Sequence, residues 1–381
     1  MRIAYLTPTF PPYPGGIGMN CYYNAREMAK RGFEVEVFTP RYGEESEIRN
    51  QKSEIKFKIH YLKSVISYGN AALLPQLLWR LRCFDIVHCY YPFFGGAEMA
   101  VLARYFKNLK LIIHHEMDVV GEGWQKKFFS WHTRHVLPWI LKNSDLVFVL
   151  SEDYFNNSDF GRLYKAYKKL PPWQVVPNGV DTELFKPMPN LTSPIVLFAA
   201  GLDKAHYFKG VPVLLEAIAL LKKENFPVRL RIAGEGELKK EYQKQTNELE
   251  IQDQVEFVGL ITHDRLPDFY SSGNLFIMPS VGQTESFSIA TAEAQACGLP
   301  AIVSDLPGMR VTIEDGITGL LIMPGDSRDL ARKIKMILSD PTRAAKMGQA
   351  GRERMEKMFS WKVMGERLET IYRKLTQLKF L

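Results

Sequence analysis

No stretch of about 18 or more consecutive apolar residues occurs in the 381-residue chain, so no membrane-spanning helix is predicted. Cysteine is scarce. Cys21, Cys83, Cys89 and Cys297 lie far apart, without metal-ligand or disulfide spacing, and read as reduced thiols. Low-complexity tracts and short-period repeats are missing too, so a repeat architecture is not expected. The N-terminal apolar run, Ile3 to Leu6, is too short for a signal peptide and suits a first buried strand. A cytoplasmic protein is expected, at most peripheral to the inner face of a membrane. No basic helix or aromatic-interleaved basic run stands out, so nucleic acid is not an expected partner.

What is present is an ordinary globular composition, 46% hydrophobic and 24% charged, at a length that predicts two domains. The net charge of +7 is uneven. Residues 1–190 hold 24 Lys and Arg against 18 Asp and Glu (+6), which leaves 25 against 24 (+1) for residues 191–381. A basic first half fits a solubilising surface, or an anionic partner such as a phosphate-bearing molecule or a membrane face. Two segments mix bulky apolar with basic residues, Leu73–Arg82 and Trp124–Lys142. Each could lie in a bilayer interface or pack as a core helix.

Apolar runs bounded by turn residues predict strands at Arg2–Leu6, Glu34–Phe38, Asp85–His88, Leu111–His114 and Leu146–Leu150. Helical patterns fall near 17–31, 73–82, 96–106 and 124–142. After a proline-rich passage (Pro171, Pro172, Pro177, Pro187, Pro189, Pro194) the alternation restarts. Strands are predicted at Ile195–Ala199, Arg229–Ala233, Val255–Val258, Leu275–Met278, Ala301–Val303 and Gly319–Ile322. Helices are predicted near 210–223, 236–249, 286–297, 327–338 and 342–358, and a last one runs from Trp361 to about Leu378. Such alternation predicts an α/β protein with two Rossmann-like, doubly wound parallel sheets. The expected division is 1–177, a linker 178–193 and 194–360, with 361–381 free to pack back on the first domain. Ligands are expected where strand C-termini face an inter-domain crevice.

Several residues could carry chemistry. Gly15, Gly16 and Gly18 lie between the first strand and a helix, where glycines let a phosphate or sugar approach a helix N-terminus. The same loop could be a tight turn or a dinucleotide fingerprint, although Cys21 stands where that fingerprint needs its third glycine. His88, His114 and His115 end adjacent predicted strands, with Asp118 three residues on, and are candidate substrate contacts or core histidines. Lys204 and Lys209 precede a helix and could meet a diphosphate or be plain surface charge. Glu285 and Glu293 are eight apart, which at 3.6 residues per turn does not force one face. Glu285 fits the entrance, and Glu293 the body, of a helix whose first amides, Ser286, Phe287, Ser288 and Ile289, would point at an anion.

The stretch 279–300 resembles the E-x(7)-E signature of retaining glycosyltransferase family 4, which has the GT-B fold. Gly15–Gly18, Val87-His88, Pro177–Asp181, Lys209-Gly210, Gly234–Gly236, Phe257–Gly259 and Asp315…Gly319 follow in the family's order. The resemblance implies transfer of a hexose-type sugar from a UDP or GDP donor to a sugar or lipid-linked acceptor, or a growing glycan, with retention. It implies Glu293 on the ribose, Glu285 near the sugar hydroxyls and Lys209 on the diphosphate, assisted by the 286–289 amides. Val258 and Gly259 would border the base, and the 15–18 loop and His115 would lie near sugar and acceptor. Catalytic roles thus fall to His115, Lys209 and Glu285. The family's Arg after Gly201 is replaced here by Leu202, with Lys204 nearby, and either His114 or His115 matches its single histidine. No Asp-x-Asp pair occurs, so no metal and no cofactor beyond the donor is expected. A nucleotide-sugar epimerase or hydrolase of the same fold, or a non-catalytic nucleotide-sugar binder, is the alternative.

Overall fold

The computed structural model describes residues 1–13, 15–42, 56–69, 71–119, 121, 123–187, 194–282 and 285–377. Pro14, residues 188–193 of the expected linker (Pro189 among them) and residues 378–381 lie outside the described residues. Two compact units form, Met1–Gly179 joined by the segment from Trp361 onward, and Val180–Ser360.

The first unit contains β1 (Arg2–Leu6), β2 (Glu34–Pro40), β3 (Lys58–Leu62), β4 (Ser67–Tyr68), β5 (Ala71–Ala72), β6 (Ile86–Tyr91), β7 (Lys110–His115), β8 (Leu146–Val149) and β9 (Trp173–Val175). Seven of them make a parallel sheet in the order β3-β2-β1-β6-β7-β8-β9, and β4 and β5 make a separate antiparallel hairpin. The central strands are apolar on both faces because helices cover both. Ala4, Leu6, Val87, Cys89 and Tyr91 feed one core, while Ile3, Tyr5, Ile86 and Tyr90 feed the other, the two-residue period of a pleated strand. The C-terminal helix Trp361–Gln377 closes the second core with Leu368, Tyr372 and Leu375, and Trp361 stacks on Tyr23 at 4.9 Å.

The second unit holds β10 (Ile195–Ala199), β11 (Arg229–Ala233), β12 (Val255–Gly259), β13 (Leu275–Met278), β14 (Ala301–Ser304) and β15 (Gly319–Ile322). All are parallel, in the order β12-β11-β10-β13-β14-β15. The order reverses between β10 and β13, as it does between β1 and β6 in the first unit. Loops leaving the C-terminal ends of strands at such a reversal diverge and open a crevice. Both sheets are doubly wound, as the sequence predicts.

Other expectations change. Residues 73–82 form only a turn of helix, Leu77–Arg80, and a 3-10 turn, Leu81–Cys83. Leu74, Leu77 and Leu81 are buried in the core, so this segment is not an interfacial helix. Residues 124–142 split into helices Gly123–His135 and Leu137–Lys142, the second restarting with Pro138 in its first turn. Strands β3 and β9, and helices Glu152–Asn157 and Asp159–Ala166, were not expected. From Val180 on, the described part of the expected linker packs onto the second unit. Val180 N–H donates to Phe359 O at 2.8 Å, and the Arg352 guanidinium donates to Thr182 O and Phe185 O. No helix among the described residues is long and apolar enough to cross a membrane.

Candidate functional site

The two loops at the reversal of the second sheet carry the strongest candidates. Lys209 ends the loop after β10, and Glu285 follows β13. Lys209 Nζ lies 2.5 Å from Glu285 Oε1, and Glu285 Oε2 accepts the Ser280 hydroxyl at 2.8 Å. The sequence marked both residues but not their pairing across 76 positions. Two glycines permit the close backbone packing around them. At Gly210 (φ +77°) a Cβ would come within 1.9 Å of Pro279 O, and at Gly308 (φ +87°) within 2.4 Å of Glu285 O.

The helix behind Glu285 starts later than expected, at Ile289 rather than near 286, and runs to Ala296. The cause is Ser288, whose hydroxyl accepts the Thr291 N–H as an N-cap. The first-turn amides left for an anion are therefore those of Ile289 and Ala290. Ser286 and buried Phe287 lie on the approach to the helix, not within it. Glu293 is 6% exposed and held from two sides. Tyr270 donates its hydroxyl to Oε2 at 2.9 Å, and His263 Nε2 lies 3.5 Å from Oε1. Burial pushes the His263 pKa down, but its hydrogen bond and charge interaction with Glu293 outweigh this and raise it. Tyr270 and His263 went unnoticed in the sequence, where each reads as an ordinary helix or loop residue.

Leu202 is a core residue. It is 1% exposed, its N–H donates to Glu235 O at 2.9 Å, and its carbonyl accepts Leu238 N–H at 2.9 Å. Lys204 is exposed and opens the 3-10 segment Lys204–Lys209. Val258 and Gly259 end β12, the edge strand, with Gly259 at φ +80°.

In the first unit Gly15 caps the helix Gly16–Lys30, and both Gly15 and Gly16 are exposed. Gly18 is buried, and a Cβ there would sit 2.9 Å from Thr9 O, so it serves helix-to-loop packing. His88 and His114 are fully enclosed, which removes them as substrate contacts. They form one chain of hydrogen bonds. His88 Nδ1 meets the Tyr372 hydroxyl at 2.5 Å, His88 Nε2 meets His114 Nδ1 at 3.0 Å, and His114 Nε2 meets Val176 O at 3.2 Å. A carbonyl can only accept, so His114 carries its proton on Nε2, His88 on Nε2, and Tyr372 donates. Burial lowers both pKa values, that of His114 to about 3, so both rings are neutral.

His115 differs. It stacks on Phe160 at 3.8 Å, its Nε2 lies 3.5 Å from Asp118 Oδ1, and it borders a cavity of about 580 Å³ that Lys126, Arg134 and Tyr167 also line. Asp118 accepts the backbone N–H groups of Asp159 (2.6 Å) and Phe160 (3.2 Å), so it fixes the start of helix Asp159–Ala166. Burial raises its pKa, but these bonds and His115 bring it below the usual value.

Glu116 is a buried acid that the sequence did not single out. Asn20 Nδ2 donates to its Oε1 at 2.6 Å and also to Asn178 Oδ1. Burial pushes its pKa up to about 8, although the Asn20 and Asn178 side chains pull it down. A carboxyl whose folded pKa exceeds its unfolded value stabilises the fold fully below about 4.5 and loses that contribution as pH rises to about 8. Glu116→Gln should therefore melt close to the wild type near pH 5 and about 6–12 °C higher near pH 8, equivalent to about 3 kcal/mol. Parallel melting curves at both pH values would show that Glu116 is charged in the fold.

Residues 14–184 match the family model described as Glycosyltransferase Family 4, and residues 180–354 match Glycosyl transferases group 1. The chain is 26% identical to the D-inositol 3-phosphate glycosyltransferase of Corynebacterium aurimucosum over 98% of its own length and 96% of that protein's. Among solved structures, sucrose-phosphate synthase from Thermosynechococcus elongatus superposes with a TM-score of 0.83 at 24% identity, covering 99% of this chain and 100% of that one. HepE from Anabaena in complex with UDP superposes with a TM-score of 0.78 at 18% identity, covering 98% and 100%. These neighbours share the two parallel-sheet, GT-B arrangement.

Proposed function

Since the chain is a glycosyltransferase of the group 1 and family 4 type, we propose that it moves a hexose-type sugar from a nucleoside diphosphate sugar to an anionic or lipid-linked acceptor, with retention and without a metal. The observation that carries this reading is the Lys209–Glu285–Ser280 cluster at the sheet reversal, followed by a capped helix bearing Glu293. The donor diphosphate binds Lys209, with the Ile289 and Ala290 amides as fixed dipoles. Glu293 accepts the ribose hydroxyls, and Val258 and Gly259 border the base. Glu285 orients the sugar hydroxyls, and His115 serves the acceptor side.

In the transfer the bond from the anomeric carbon to the phosphate oxygen breaks, and its electron pair stays on that oxygen. The acceptor hydroxyl bonds to the anomeric carbon on the same face, and its proton passes to the departing phosphate. Lys209 opposes the charge that builds there. Lys204, exposed a few residues earlier, takes the place of the family's missing arginine only if it turns toward the diphosphate. UDP is the first base to test, as HepE holds it.

Thermal-shift titration against UDP-, GDP- and ADP-sugars tests the reading. A cognate donor at 100 times its Kd stabilises by about 2.7 kcal/mol. No shift with any of the three would remove the donor assignment. Nuclear magnetic resonance of the product anomer decides retention.

A further inference from the structure

We propose that helix Gly123–His135 and the β4–β5 hairpin form one docking face for an anionic bilayer surface. At 100° per residue, Trp124, Phe128 and Trp131 fall on a single stripe of the helix, and Lys127 and Arg134, seven apart, run along its flank. The adjoining side is anchored. His132 Nε2 meets Glu98 Oε1 at 2.6 Å, and Phe129 stacks on Phe94 at 5.3 Å. The hairpin meets the stripe through Tyr68, and Val65 and Ile66, three and two residues before it, are exposed as well. The Tyr68 ring lies 5.3 Å from Trp124, and its hydroxyl accepts Gln125 Nε2–H at 2.9 Å. These six apolar side chains are 41–68% exposed, where a lone exposed residue would be unremarkable but a contiguous group marks an interaction surface.

Charge selects the partner. Among residues 63–69, 71, 72 and 123–135 there is no carboxylate, whereas Lys63, Lys127 and Arg134 are present and exposed. Indole and phenol rings with flanking cations suit the headgroup layer, where the rings sit at the apolar boundary and the cations meet lipid phosphates. The helix is anchored through its adjoining side and the hairpin is tied to it, so binding requires no refolding. The inference stands apart from the transferase reading, because vesicle binding is read without turnover.

Co-sedimentation with vesicles of equimolar phosphatidylcholine and phosphatidylglycerol, against phosphatidylcholine alone, is the test. The wild type should bind the mixed vesicles at low salt and lose binding as salt rises. Lys127→Glu with Arg134→Glu should weaken that binding by about fivefold per cation and erase the preference for phosphatidylglycerol. Trp124→Ser with Trp131→Ser should weaken it by at least about tenfold. All these side chains are exposed, and an unchanged melting temperature certifies each variant as folded. Failure of the wild type to pellet at low salt, or equal pelleting of wild type and tryptophan variant, overturns the proposal. A wild-type dimer in solution that the tryptophan substitutions dissolve overturns it in favour of a second copy of the chain.

Discussion

Lys209→Ala is expected to lower turnover by about 10²–10³, the usual loss when one preorganised stabiliser of developing charge is removed. The Lys209–Glu285 contact at 2.5 Å adds a second effect. Glu285 is 7% exposed, and without the ammonium group its remaining partner among the described residues is Ser280, so the variant should also be less stable by about 1–3 kcal/mol. A plain surface lysine would cost within about 0.5 kcal/mol and nothing in rate. The Lys209→Ala, Glu285→Gln double variant carries no unpaired charge and isolates the stability effect: its melting temperature should recover. The rate effect of Lys209 is read in the single variant, because Glu285 is itself assigned a part in turnover. Turnover of the single variant at the wild-type level, measured well below its melting temperature, would remove Lys209 from the diphosphate site. Lys204→Ala should alter turnover little, and a further loss in the Lys204→Ala, Lys209→Ala pair would show that the two lysines share the charge.

The sheet strands were legible wherever a strand is buried on both faces, because nothing else keeps an unbroken run such as Leu275–Met278 between turn residues. The two misses in the first sheet are its edge strands. Lys58–Leu62 alternates polar and apolar residues, and Trp173–Val175 sits among Pro171, Pro172 and Pro177, which read as linker. The helices at Glu152 and Asp159 did carry a local signal, a serine followed by acids. Ser151 and Ser158 cap them through Tyr154 N–H and Gly161 N–H, each at 3.0 Å. In the site, the chemistry-bearing residue types were legible but their partners were not. Sequence spacing cannot bring Lys209 to Glu285, Tyr270 to Glu293, or Tyr372 to His88 across 284 positions. Nor could it tell His114 from His115, whose separation rests on which face of β7 each side chain takes. His114 turns into the core shared with Tyr372, and His115 turns toward Phe160 and the cavity.

The two glutamates are expected to fail in different ways. Glu293 gripping ribose hydroxyls would make a contact present both before and during reaction, worth about 1.5–3 kcal/mol as a charge-assisted bond. Glu293→Ala should therefore weaken donor and free nucleoside diphosphate alike, by roughly tenfold to a hundredfold, raising KM more than it lowers kcat. It also strips the fully buried Tyr270 hydroxyl of its acceptor, so Glu293→Gln, which keeps an oxygen for Tyr270, is the better-folded version of the same test. Glu285 would act on the sugar as it gains cationic character, and its loss should appear in kcat. The ion pair sharpens this expectation, because Glu285 competes with a diphosphate for the Lys209 ammonium group. Glu285→Ala releases that cation, so affinity for the nucleoside diphosphate should stay the same or rise while kcat falls. Calorimetry with the diphosphate separates the two roles, since this ligand lacks the sugar. Loss of diphosphate binding in Glu285→Ala, with binding intact in Glu293→Ala, would reverse the assignments. If both alanine variants unfolded while Glu293→Gln and Glu285→Gln stayed folded and fully active, both carboxylates would be structural, and the spacing of eight would mark a packing motif.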